Sequence, residues 1–135
     1  MNDTINIIGA GLAGSEAALF LANHGFFVEL YDMKPLKKSN AHSMNSFCEL
    51  VCNNSFCRTD RELPLNLLFE ELKVLNSKLI YFIEKARIND RNCIAVDKRV
   101  FSQMVTQAIE SNDRINIIKK EVTELPDSRP TILAT

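Results

Sequence analysis

Long hydrophobic runs, excess charge of one sign and a regular cysteine pattern are all missing from this chain, and each absence removes a class of function. No apolar stretch approaches ~18 residues, and the N-terminus lacks a basic flank followed by a long apolar core. A soluble cytoplasmic protein with no membrane partner is therefore expected. The 16 basic and 17 acidic residues leave a formal charge of -1, so any RNA contact must come from a local patch. Without a secretion signal the four cysteines, Cys48, Cys52, Cys57 and Cys93, are read as reduced thiols. Their Cys-x3-Cys-x4-Cys spacing departs from paired zinc knuckles, and His24 and His42 stand at no ligand spacing, so no metal site is read. There is no internal repeat, low-complexity tract or second composition regime, and 135 residues make one domain's worth of chain.

Glycine is also scarce, and three of the four glycines stand in Gly9-Ala10-Gly11-Leu12-Ala13-Gly14. The apolar run Ile5 to Ile8 before it suits a buried parallel strand. Ser15 to Asn23 suits a helix packed through Ala17, Ala18, Leu21 and Ala22, and Val28 to Tyr31 suits a second strand. This order describes a dinucleotide-binding β-α-β unit. Gly9 allows the tight turn, Gly11 lets the backbone approach a pyrophosphate, and Gly14 lets helix and strand pack closely. Phosphate would meet free amides at the helix N-terminus. Asp32, about 20 residues beyond the loop, stands where a carboxylate accepts from ribose hydroxyls. That acid suits FAD or NAD, whereas Lys34 would tolerate a ribose phosphate.

Met33 to Asn54 is polar and shows no sustained period, which reads as a long loop and the place for chemistry. Leu63 to Ala86 reads as two helices broken at Asn76 and Ser77, with Leu67, Leu68, Leu72, Leu75, Leu79, Ile80, Phe82 and Ile83 as a core stripe. Strands are expected at Cys93 to Val96, Ile115 to Ile118, Glu121 to Leu125 and, buried, Thr131 to Thr135, with a helix over Phe101 to Glu110. Lys34, Lys37, Lys38, Arg58 and Arg61 form a basic cluster without an aromatic platform, which reads as a solvated face.

Further stretches carry a resemblance: Ser15-Glu16-Ala17-Ala18 after the glycine loop, Leu30-Tyr31-Asp32-Met33-Lys34-Pro35, Ala41-His42, Glu49-Leu50-Val51-Cys52, Asn54-Ser55, Ala95-Val96-Asp97, Glu121-Val122-Thr123-Glu124 and Thr131 to Thr135. Together they resemble the N-terminal part of the TrmFO family of folate- and FAD-dependent tRNA uracil-5-methyltransferases, related to MnmG. The resemblance implies an α/β, Rossmann-like FAD/NAD(P)-binding fold, three-layered around a central parallel sheet and incomplete at the C-terminus. Residues 1–135 would form the N-terminal part of the FAD-binding domain, the rest of that domain and a second domain being absent.

It implies FAD on Gly9, Ala10, Gly11, Leu12, Ala13, Gly14 and Asp32. It also implies methylenetetrahydrofolate and NAD(P)H as co-substrates, and tRNA, methylated to ribothymidine in its T-loop, as substrate. Cys52 matches a cysteine placed near flavin and substrate, where a thiol can attack uracil C6; packing is its other reading. Arg58, His42 and Lys34 are candidates to activate it. Cys48, Cys57 and Cys93 are read as packing residues and His42 as a loop hydrogen-bonder. The sequence departs from the family where Asp32 replaces glutamate, Lys34 replaces arginine, and Arg91 and Asn92 replace paired glycines. Its length implies a fragment or one half of a split enzyme with a separately encoded C-terminal half, inactive alone. The alternative is a dinucleotide-binding module or remnant without methyltransferase activity.

Overall fold

In the computed structural model, residues 4–58, 64–88, 92–126 and 129–135 are described, the side chains of 57 and 58 excepted. Strand β1 (Thr4–Ile8) pairs in parallel with β2 (Phe27–Asp32), and α1 (Leu12–Asn23) connects them. The sheet extends through β6 (Ile115–Lys119) beside β2 and β7 (Thr131–Leu133) beside β1, giving the parallel order β6-β2-β1-β7. The expected Rossmann-like parallel sheet is thus present. Along β2, Val28, Leu30 and Asp32 are buried while Glu29 and Tyr31 are half-buried, the period-2 alternation of a sheet with one packed face.

Helices α1, α3 (Lys78–Ala86) and α4 (Lys98–Glu110) pack against one another, with α1 and α4 against this sheet. Phe101, Val105 and Ile109 on α4 follow helical spacing and are fully buried, each contributing about 1.5–3 kcal/mol relative to exposure. Two helix starts, those of α4 and α3, carry side-chain caps. Asp97 accepts from the Arg99 and Val100 amides at 2.9 and 3.1 Å, so α4 begins three residues before the expected Phe101. At α3 the cap is shared: Ser77 accepts from the Ile80 amide, and Glu16 of α1 accepts from Ser77 Oγ and from the Lys78 and Leu79 amides at 2.8–2.9 Å. A carboxylate at a helix N-terminus also meets the favourable end of the dipole.

Helix α2 (Pro64–Val74) ends before Asn76, which takes a φ of 55° and makes the expected break. The core stripe divides there. Leu79, Ile80 and Ile83 are buried, whereas Leu67, Leu68 and Leu75 are exposed and Phe69 is the buried side chain of α2. A helical period shows that one face is apolar, but tertiary packing decides whether it is covered.

A second, antiparallel sheet, β3-β5-β4, was not foreseen; it joins β3 (Ser55–Arg58), β5 (Cys93–Val96) and β4 (Arg87–Ile88). Two-residue and edge strands are too short to show a period. Two expectations are corrected. Glu121 to Leu125 is not a strand, because the chain leaves the sheet after β6 and crosses its end, with Lys37 paired to Glu121. Strand β7 is not buried: it lies at the edge of the described sheet, with Ile132 and Leu133 exposed. Among the described residues no helix is long and apolar enough to cross a membrane.

Candidate functional site

The C-terminal ends of β1 and β2 open into a cleft of about 390 Å³ lined by Gly9, Ala10, Gly11, Asp32, Lys34, His42, Glu49, Val122 and Ala134, among others. Ligand sites of parallel α/β sheets lie outside the carboxyl ends of the strands, and this volume is within their range. The three loop glycines serve different masters. Gly9 takes a φ of +100°, and a Cβ there would lie 2.5 Å from the Ala134 carbonyl oxygen. A Cβ on Gly14 would overlap the Gly9 carbonyl oxygen. The protein itself therefore requires both. Gly11 differs: its φ of -75° suits any residue, and a Cβ there would meet no described atom within 4 Å. The space before Gly11 is open.

Helix α1 starts within the motif, at Leu12 rather than Ser15, so Leu12, Ala13 and Gly14 form its first turn. Unlike α3 and α4, it has no side-chain cap on its first amides, and no acidic residue stands in that turn. Gly11, Leu12 and Ala13 are exposed. An uncapped positive helix end facing a cleft is suited to an anionic group.

Asp32 is buried at the rim, with Oδ2 accepting from the Ala10 amide at 3.0 Å and Oδ1 from the Lys34 amide at 2.8 Å. Each oxygen keeps a second lone pair for a hydroxyl donor. Lys34 is only 4% exposed and its Nζ donates to the Ser46 carbonyl oxygen, so its ammonium is directed inward rather than to a ribose phosphate. That burial, with the Lys37–Glu121 pair, breaks up the expected basic face; Arg61 and the Arg58 side chain lie outside the described residues.

Glu49, within the Glu-Leu-Val-Cys stretch, lines the cleft and accepts from Ser43 N–H, Ser43 Oγ and Met44 N–H. Partial burial acts to raise its pKa, but those bonds and the Lys34 charge outweigh it and hold the carboxyl below its ordinary value. His42 lines the cleft with Nδ1 2.7 Å from Ser39 Oγ, the loop hydrogen-bonder expected of it.

The cysteines separate. Cys48 is fully buried with a φ of 56°, and its amide donates to the Ala10 carbonyl oxygen at 2.8 Å. Burial pushes its thiol up to about 12, with the Ser15 hydroxyl and Lys34 offsetting part of the rise. Cys52 is exposed among the described residues and does not line the cleft, and Lys34, one of its candidate activators, lies near Cys48 and Glu49. The Cys57 side chain and Arg91 lie outside the described residues.

Sequence reasoning assigned no role to Glu49, Val122 or Ala134 as lining residues, or to Ser15 at the glycine loop; their available signal was membership of family-like stretches, and for Ser15 a hydroxyl on the apolar face of α1. Among the described residues no three His, Cys, Asp or Glu side chains gather as a metal site.

A family model described as glucose inhibited division protein A matches residues 4–134. The chain belongs to that family. Aquifex aeolicus GidA shares the fold, with a TM-score of 0.68 at 19% identity over 92% of this chain and 21% of that one. Among curated relatives, the methylenetetrahydrofolate--tRNA-(uracil-5-)-methyltransferase TrmFO of Acetivibrio thermocellus is 47% identical over 100% of this chain. The Bacillus subtilis protein of the same name is 41% identical over 98%. This member of the GidA family spans about a third of the length of those relatives, 31% and 30% respectively, and its match is to their N-terminal part.

Proposed function

We propose that this chain is the FAD-binding N-terminal part of a folate-dependent tRNA uracil-5-methyltransferase. The observation that carries the proposal is the open space at Gly11 beside an uncapped helix end, in a sequence 47% identical to a TrmFO protein. The residues present fit the cofactor. Gly11, Leu12 and Ala13 would offer backbone amides to the pyrophosphate, and the helix dipole would favour its charge. Asp32 would accept from adenosine ribose hydroxyls through its spare lone pairs. Lys34, directed inward to the Ser46 carbonyl, does not offer its ammonium to a 2′-phosphate, which leaves Lys120, whose amide bonds the Asp32 carbonyl oxygen at 2.9 Å, as the exposed lysine lining the cleft.

Bound FAD, reduced by NAD(P)H, supplies the electrons that turn a folate-borne methylene into the methyl group of ribothymidine. Cys52, exposed on the segment following Glu49, is the proposed nucleophile toward uracil C6 of the tRNA. The methylenetetrahydrofolate site and most of the tRNA surface would come from sequence corresponding to the remaining length of the relatives.

The test has two arms. The purified chain is titrated with FAD and followed by flavin fluorescence, and near-stoichiometric binding is expected. Absence of binding at saturating FAD overturns the cofactor assignment. A strain lacking the enzyme is then supplied with this chain together with the downstream coding sequence, and tRNA ribothymidine is measured. Flavin binding without ribothymidine would favour the second reading, a dinucleotide-binding module without methyltransferase activity, to which the separation of Cys52 from the cleft lends weight.

A further inference from the structure

Two hydroxyls on α4, neither lining the cleft, grip the segment that braces the glycine loop. Ser102 and Thr106 stand one turn apart and therefore share a helix face. Ser102 Oγ donates to the Cys48 carbonyl oxygen at 3.1 Å, and Thr106 Oγ1 accepts from the Phe47 amide at 2.8 Å. Between those two anchors, the Cys48 amide donates to the Ala10 carbonyl oxygen at 2.8 Å, where the Ser15 hydroxyl also donates at 3.2 Å. Ser102, Ser15 and Cys48 are fully buried, so water does not compete for these bonds.

Hydroxyls on the packed face of a helix are costly unless partnered, and here the partner is a loop backbone 54 or 59 positions away. The Ala10 carbonyl and the Gly11 amide belong to one planar peptide unit. Pinning the Ala10 oxygen toward Cys48 therefore aims the Gly11 N–H the opposite way.

We propose that Ser102 and Thr106 are positioning residues for the dinucleotide site, setting the aim of the Gly11 amide through Cys48 and Ala10. The proposal rests on the FAD reading of the cleft. It assigns α4 a part in cofactor affinity without contact to cofactor, and it gives the Phe47–Cys48 backbone, rather than the Cys48 thiol, the role at the loop.

The test uses the full chain with Thr106→Val, which keeps shape and removes the acceptor, Thr106→Ser, which keeps the oxygen, and Ser102→Ala. FAD affinity is read by flavin fluorescence, and amide exchange by NMR. Thr106→Val and Ser102→Ala are each expected to weaken FAD about tenfold and to speed exchange at the Cys48 amide about tenfold. The amides of β2 stay unchanged, and Thr106→Ser restores both readings. FAD binding by Thr106→Ser as weak as by Thr106→Val overturns the proposal, as does parental affinity in a variant whose Cys48 amide exchanges faster. If the parent chain binds no FAD, the cofactor reading fails on its own account. Exchange then decides the positioning claim: Gly11 and Cys48 amides in Thr106→Val that match the parent overturn it.

Discussion

The same substitution three residues apart in the glycine loop should have opposite consequences. In Gly11→Ala the new methyl meets no described protein atom within 4 Å, and the backbone is already extended. Replacing an N-cap glycine by alanine costs about 0.5–1 kcal/mol. The stiffer unfolded chain returns about 0.4–1 kcal/mol, so stability should change by no more than about 0.5 kcal/mol. In Gly14→Ala the methyl overlaps the Gly9 carbonyl oxygen, a backbone atom, and also closes on the Ala134 side chain. Relief requires moving the helix or the loop, at about 3 kcal/mol or more. With a urea slope of about 1.5 kcal/mol per molar, the midpoint should fall by about 2 M. FAD affinity should show the reverse contrast, because the Gly11 methyl would occupy the space proposed for the pyrophosphate; a loss on the order of 100-fold is expected, about 2.7 kcal/mol. Urea titrations by circular dichroism and FAD titrations by fluorescence measure both quantities. A Gly11→Ala chain that binds FAD within threefold of the parent, or a Gly14→Ala chain that keeps the parental midpoint, would refute the assignment of these glycines.

Glu16→Ala strands the Lys78 and Leu79 amides at the start of α3, and a loss of about 2 kcal/mol is expected in urea unfolding; Glu16→Gln should recover part of it. Brief iodoacetamide treatment of the folded chain followed by peptide mass spectrometry should find Cys52 modified and Cys48 protected, since Cys48 is buried with its thiol raised to about 12; equal labelling would contradict that burial. The Glu49 carboxyl is depressed in the folded chain, so its stabilising contribution is present above the ordinary value of 4.5 and is lost as pH falls through the lower folded value. Acid titration of Glu49→Gln should accordingly show a shallower fall in stability below that pH than the parent; parallel curves would argue against the Ser43 and Met44 contacts.

What the sequence made legible was local. The order of strand, glycine loop, helix, strand and acid lies within 29 residues, and its periods and turn chemistry do not depend on distant partners. The break at Asn76 and the burial of Leu79, Ile80 and Ile83 were readable for the same reason. The exposed side of α2 was not, because identical leucine spacing serves covered and uncovered helices. Strands β3 and β4 are defined by their pairing with β5, and Arg87 and Ile88 alone carry no alternation. Within the site, Asp32 was placed correctly near the loop, yet its bonds to the Ala10 and Lys34 amides were hidden. Backbone donors leave no mark on residue type. The same limit concealed Cys48, whose thiol invites attention while its amide makes the contact with Ala10.

The pairing of β1 with β7 also bears on when the cleft can exist. Asn6 donates to Thr131 across 125 positions, the Ala134 amide bonds the Ile8 carbonyl oxygen, and Gly9 is held against Ala134. At a synthesis rate of about 5–20 residues per second, the first strand of the loop waits roughly 6–25 s for this neighbour to be made. The β-α-β unit can form early from local contacts, but the wall supplied by Ala134 cannot. Closure of a parallel pair so far apart in sequence is slow as well as late. During that interval the edge of β1 is open, and the cleft lacks one side.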